Sequence, residues 1–155
     1  MPSIIIGFVP FIFLFFVLFD FVPRHIYIDY RAITFQRGIA VDIGGRDKHG
    51  FHIVDLIGKI DRLKDSIVLR SYVGSLAEEK GLRRIAMNLA QVTYLDSGAL
   101  NVLIFCQNAL QKLGGKFVII EPNEYVADVL NVVGFDKLIT IYPSEKEFEN
   151  DVQKS

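Results

Sequence analysis

An α/β fold with a mostly parallel sheet is what this sequence predicts, and three observations predict it. From Gly38 onward, short runs of β-forming residues alternate with helical stretches whose apolar residues recur every three to four positions. Glycines punctuate the joins between them. The chain of 155 residues, 51% hydrophobic and 23% charged, has the size and composition of one domain with a buried core rather than a disordered segment.

Taken in order, Ile39 to Ile43 reads as a short strand, with a turn over Gly44-Gly45 and Asp47-Lys48-His49-Gly50. Phe51 to Ile57 alternates as the returning strand and Gly58 closes it. A helix is predicted from about Lys64 to Lys80: Leu69, Tyr72, Val73 and Leu76 fall at i, i+3, i+4 and i+7, and Gly81 supplies its stop. Ile85 to Leu89 reads as a buried central strand. Leu100, Leu103, Cys106 or Gln107, Leu110 and Leu113 give the next helix, ended by Gly114-Gly115, and Phe117 to Ile120 the next strand. Val126, Val129, Leu130 and Val133 form a further helical stripe with Gly134 at its C-cap. Leu138 to Tyr142 is the last strand, and Ser144 with Glu147 three residues on marks a capped terminal helix. The order β-β-α-β-α-β-α-β-α implies crossover connections, with the opening hairpin adding one antiparallel strand.

Residues 1–38 stand apart from the predicted domain, 39–155. Ile4 to Phe19 is an uncharged run, and seven of the thirteen phenylalanines fall within the first 21 residues. At 16 residues (4–19) it is slightly shorter than the roughly 20 that cross a bilayer, and it lacks the flanks of a secretory signal. Two expectations follow. A single-pass anchor would place the domain in the cytoplasm, because Arg24, Arg31 and Arg37 follow the run and no basic residue precedes it. Alternatively the reading frame starts late, with Val41 as a GTG start downstream of a ribosome-binding site coding Gln36-Arg37-Gly38, and the protein is cytoplasmic.

Several function classes are excluded. A formal charge of −1, from 17 basic and 18 acidic residues, lacks the basic excess of a nucleic-acid binder. Three scattered histidines and one cysteine cannot make a zinc site or an intramolecular disulfide. Gly44-Gly45 and Gly114-Gly115 have neither phosphate-cradle pattern. Asp61 and Asp65, four apart, could share a helix face, though solvated or helix-starting carboxylates are the plainer expectation; Cys106 reads as core. The reading is of a non-enzymatic protein without a cofactor.

One segment carries chemistry: Tyr94-Leu95-Asp96-Ser97-Gly98-Ala99-Leu100, between a buried strand and a helix. Asp96 and Ser97 fall at the first positions of that helix, where free N–H groups and the positive dipole end accumulate. Either side chain can serve as a cap and no more. Alternatively, Ser97 presents its hydroxyl at an exposed loop tip, where a phosphate would add up to two negative charges beside Asp96.

Over Ile53 to Phe148 the sequence resembles the STAS domain of bacterial anti-sigma factor antagonists. The resemblance rests on Gly58-Lys59-Ile60-Asp61, Ile85 to Leu89, Asp96-Ser97-Gly98-Ala99-Leu100, Leu113-Gly114-Gly115-Lys116, Val132 to Lys137 and Ile141-Tyr142, in order. It implies a STAS-like, mostly parallel or mixed sheet of about five strands. It also implies a partner switch: the antagonist binds an anti-sigma factor that is a GHKL-type serine kinase, phosphorylation breaks the complex, and a phosphatase restores it. Ser97 would be the phosphoacceptor, and Asp61, Asp96, Ser97 and Gly98 would face the partner. Gly98 departs from the family's second hydroxyl residue and Ala99 from its glycine. Some members of the family are never phosphorylated and serve membrane lipid or anion transporters, the role that an anchor through residues 4–19 would favour.

Overall fold

The computed structural model describes residues 41–61 and 63–154. The apolar run 4–19 and the start of the predicted first strand lie outside the described residues. Five strands and four helices follow in the predicted order: β1 (Val41–Lys48), β2 (Phe51–Ile60), α1 (Leu63–Glu78), β3 (Arg84–Leu95), α2 (Ser97–Lys112), β4 (Lys116–Ile120), α3 (Glu124–Val132), β5 (Thr140–Tyr142) and α4 (Glu145–Val152). A 3-10 turn, Phe135–Lys137, precedes β5. The sheet is mixed, in the order β1-β2-β3-β4-β5, with β1 antiparallel to β2 and every other pair parallel.

Alternation along β2 and β3 sends side chains to two cores. Val54, Leu56, Ile60, Ile85, Met87, Leu89 and Val92 pack beneath α1, α2 and α3, where Leu69, Leu76, Leu103, Leu110, Val126 and Leu130 are buried against them. On the opposite face Phe51, Ile53, Ala86, Val118 and Ile120 are covered by α4 through Phe148, whose ring stands edge-on to Phe51 at 5.1 Å and to Tyr142 at 5.4 Å. An ion cluster reinforces that cover. Arg46 on β1 bridges Asp55 (Nε to Oδ2, 2.8 Å) and Glu145 (Nη1 to Oε1, 2.6 Å), and Lys48 binds both Glu145 and Glu149.

Four sequence expectations are corrected. Gly44 and Gly45 do not turn the chain; they lie inside β1, and the hairpin turns at His49-Gly50, both with positive φ (50° and 76°). Gly45 has no room for a side chain, because a Cβ there would stand 2.7 Å from Tyr72 Oη and 2.8 Å from His52 Nε2. Gly58 likewise does not end β2, which runs on to Ile60; at φ 110° it accompanies a register shift against β3. The predicted strand at Ile85 to Leu89 extends to Leu95, because its second half keeps pairing with β2 after β4 has ended at Ile120. The predicted last strand is shorter than expected: Leu138 is 59% exposed after the 3-10 turn, and only Thr140 to Tyr142 pair with β4.

Candidate functional site

The parallel register places Ile60 opposite Leu95, so the residues that follow each strand emerge side by side at the carboxyl ends of β2 and β3. Asp61 follows β2 and is exposed; Asp96 and Ser97 follow β3. The Asp96 N–H donates to Ile60 O at 3.1 Å, carrying the strand pairing one residue further and tying the loop to β2. In open α/β sheets this carboxyl edge is where loops and helix amino ends collect to meet ligands.

Asp96 is the N-cap of α2. Its backbone is extended, and its Oδ1 accepts from Ala99 N at 2.8 Å while its carbonyl accepts from Leu100 N at 3.2 Å. Of the two capping candidates, the aspartate therefore does the work. Ser97, first residue of the helix, is exposed and its hydroxyl is spared from capping. Gly98 is half-buried and Ala99 buried. Below them α2 is anchored by Val102, Leu103, Cys106 and Leu110. Cys106 is wholly buried, and burial pushes its thiol up to about 12, so it is the core residue expected and not a nucleophile.

Asp61 and Asp65 do not share a helix face. Asp61 precedes α1, whereas Asp65 lies in its first turn and is completely buried, not solvated. The structure thus gathers Asp61, Asp96, Ser97 and Gly98 at one edge, with Asp65 buried in the first turn of α1.

Three features of this edge escape the sequence. Tyr94, the exposed residue before Leu95, stacks on Tyr125 of α3 with centroids 6.3 Å apart and planes 16° from parallel. Asn123 caps α3 by accepting from Val126 N at 3.0 Å, and its amide donates to Val92 O, bracing the part of β3 that β4 no longer reaches. Ser66 of α1 lies against Gly98: a side-chain carbon at residue 98 would stand 3.0 Å from Ser66 Oγ and 3.1 Å from Asp96 Oδ1. Sequence separations of about thirty residues leave no periodic signal for such pairs.

Among the described residues, no helix is long and apolar enough to cross a membrane. What the sheet and its carboxyl edge define is an α/β domain that holds an exposed serine at a helix start beside clustered carboxylates. Comparison with known proteins narrows this. The STAS domain profile matches residues 45–148. A Thermotoga neapolitana protein, named as a candidate anti-sigma factor antagonist, is 32% identical over 74 residues, covering 48% of this chain and 66% of that protein. Among solved structures, an anti-sigma factor antagonist from Mycobacterium paratuberculosis superposes with a TM-score of 0.64 at 21% identity, covering 73% of this chain and 94% of that one. The unphosphorylated anti-sigma factor antagonist SpoIIAA gives 0.58 at 14% identity, covering 75% of this chain and 99% of that one. The chain belongs to the STAS domain family.

Proposed function

We propose that this protein is an anti-sigma factor antagonist, a non-enzymatic binding module whose partner is an anti-sigma factor with GHKL-type serine kinase activity. In this reading Ser97 is the phosphoacceptor, and Asp61, Asp96 and Gly98 form the partner surface around it. The kinase transfers the γ-phosphoryl group of ATP to Ser97 Oγ, the hydroxyl proton is lost and ADP leaves; a phosphatase reverses the state by hydrolysis. Transcription is regulated through the sigma factor that the unphosphorylated antagonist frees.

The observation that carries this reading is the exposed Ser97 hydroxyl, first in α2 and excused from capping by Asp96. A dianion there suits the positive end of a helix, so the modified domain stays folded. The same charge, set beside Asp96 in a close-fitting interface, would cost binding through repulsion and desolvation. A loss of about 3 kcal/mol changes affinity more than a hundredfold.

The test is binding of Ser97→Ala and Ser97→Asp chains to the cognate anti-sigma kinase, together with the intact mass of protein from its native cells. Tight binding by Ser97→Ala, weak binding by Ser97→Asp and a phosphate increment confined to Ser97 are expected. Equal affinities for the two variants would sink the switch. A full-length, unphosphorylated chain in the membrane fraction would favour a STAS subunit docked on a lipid or anion transporter.

A further inference from the structure

Ser66 is a buried hydroxyl with no visible purpose in the fold. It sits in the first turn of α1, is 7% exposed, and its Oγ is shut from solvent without a hydrogen-bond partner. Buried polar groups left unpaired are uncommon because the desolvation cost is not recovered, and a ligand or a second state of the protein is a frequent reason for one. The direction in which this hydroxyl lies is informative. It faces the backbone of Gly98, 3.0 Å from the place a Cβ would occupy, and Asp96 Oδ1 lies 3.1 Å from the same place.

That place borders the amino end of α2. Asp96 serves Ala99 N with its carboxylate and Leu100 N with its carbonyl, so the cap leaves the N–H groups of Ser97 and Gly98 for other acceptors. A helix start alone attracts anions in any protein. Here a buried, unpartnered donor from another helix stands beside it, and the intervening residue has no side chain. The hydroxyl missing from residue 98 is thus matched by one delivered through space from residue 66.

We propose that Ser66 is a positioning residue for the phosphorylated state: when Ser97 carries a phosphate, the Ser66 hydroxyl donates to a phosphate oxygen alongside the N–H of Gly98, across the backbone of Gly98, where no side chain intervenes. The proposal rests on Ser97 being the modified residue, as inferred above. It gives Gly98 a role that a second hydroxyl residue there could not fill, since a side chain would be forced against Ser66 and Asp96.

The experiment installs phosphoserine at position 97 of the full chain during synthesis and follows its second ionisation by ³¹P NMR. In a short phosphopeptide that ionisation lies at about 6. In the folded wild-type chain it is expected lower, because donors favour the dianion. Ser66→Ala removes the donor, and Gly98→Ala sets a methyl group 3.0 Å from Ser66 Oγ while leaving the hydroxyl in place. Each is expected to raise the ionisation by about half a unit. Either variant titrating at the wild-type value overturns the proposal, and Gly98→Ala decides the matter should Ser66→Ala fold poorly. Because the phosphate is installed beforehand, absence of phosphate on the native protein would count against the proposed function without entering this titration.

Discussion

Two helices of this domain begin in the same way and end up with opposite fates. Helix α4 is capped by Ser144, whose Oγ accepts from Glu147 N at 3.2 Å, and carries Glu145 and Glu147 in its first turn. Helix α2 is capped by Asp96 and has no acidic residue within its first turn. At α4 the carboxylate nearest the helix start is taken up by Arg46 and Lys48 of β1, and the helix is fastened to the sheet. At α2 the cap carboxylate forms no ion pair among the described residues; its partner is the Ala99 N–H, and Ser97 beside it faces solvent. Similar local chemistry therefore serves closure at one end and availability at the other. What decides is whether a cation on a neighbouring strand reaches the helix start.

The largest way to test that contrast is to remove the apolar hold beneath α4. Phe148→Ala should destabilise the domain by about 3–5 kcal/mol, read from chemical denaturation, because the ring is fully buried between Phe51 and Tyr142. A loss below about 1 kcal/mol would mean that the ions, and not the ring, fasten the helix.

Next comes the cap of α2. Asp96→Ala should cost about 1 kcal/mol, with Asp96→Asn close to neutral because an amide oxygen also caps. A smaller effect follows at α4: Glu145→Gln should cost about 0.5–1 kcal/mol at low salt, and the difference should fade near 1 M salt, since the cluster is partly solvated.

The same glutamate gives a pH signature. Its hydrogen bond from Arg46 holds the carboxyl down to about 2, against an ordinary value of 4.5. A carboxyl lowered in the folded state stabilises the fold fully above its unfolded value. That contribution is lost as pH falls from about 4.5 toward 2. Denaturation midpoints should therefore drop less steeply across this window in Glu145→Gln than in the wild type. The smallest effect is expected at the open helix start, where Ser97→Ala should leave stability within about 0.5 kcal/mol.

Much of this is legible in the sequence. The apolar stripes of α1 and α2 follow from periodicity, as do the buried runs of β3 and β4, and the Asp96-Ser97 pair was placed at a helix start by its position between a strand and a stripe. The errors share a physical cause. Gly44 and Gly45 look like a turn, yet Gly45 serves a close approach by Tyr72 and His52, a need set by tertiary packing. Gly58 looks like a stop, yet it accompanies an irregularity within a continuing strand. The polar half of β3, through Gln91 and Thr93, has too little apolar patterning to announce itself; its pairing with β2 maintains it. Ser66 was silent for a related reason, because only the crossing of α1 and α2 brings it to Gly98.

The sheet's spatial order repeats the order of synthesis, β1 to β5, and this has a consequence for assembly. Each strand joins the edge left by its predecessor, so the sheet can grow by short loop closures as residues become available. The Arg46–Glu145 and Lys48–Glu149 contacts break this rule, spanning 99 and 101 residues. They behave as a clasp that can shut only after β5 has been laid down. A ribosome-bound chain arrested before α4 would hold all five strands but leave Phe51, Ile53 and Val118 uncovered, a surface that chaperones recognise and that the last helix removes.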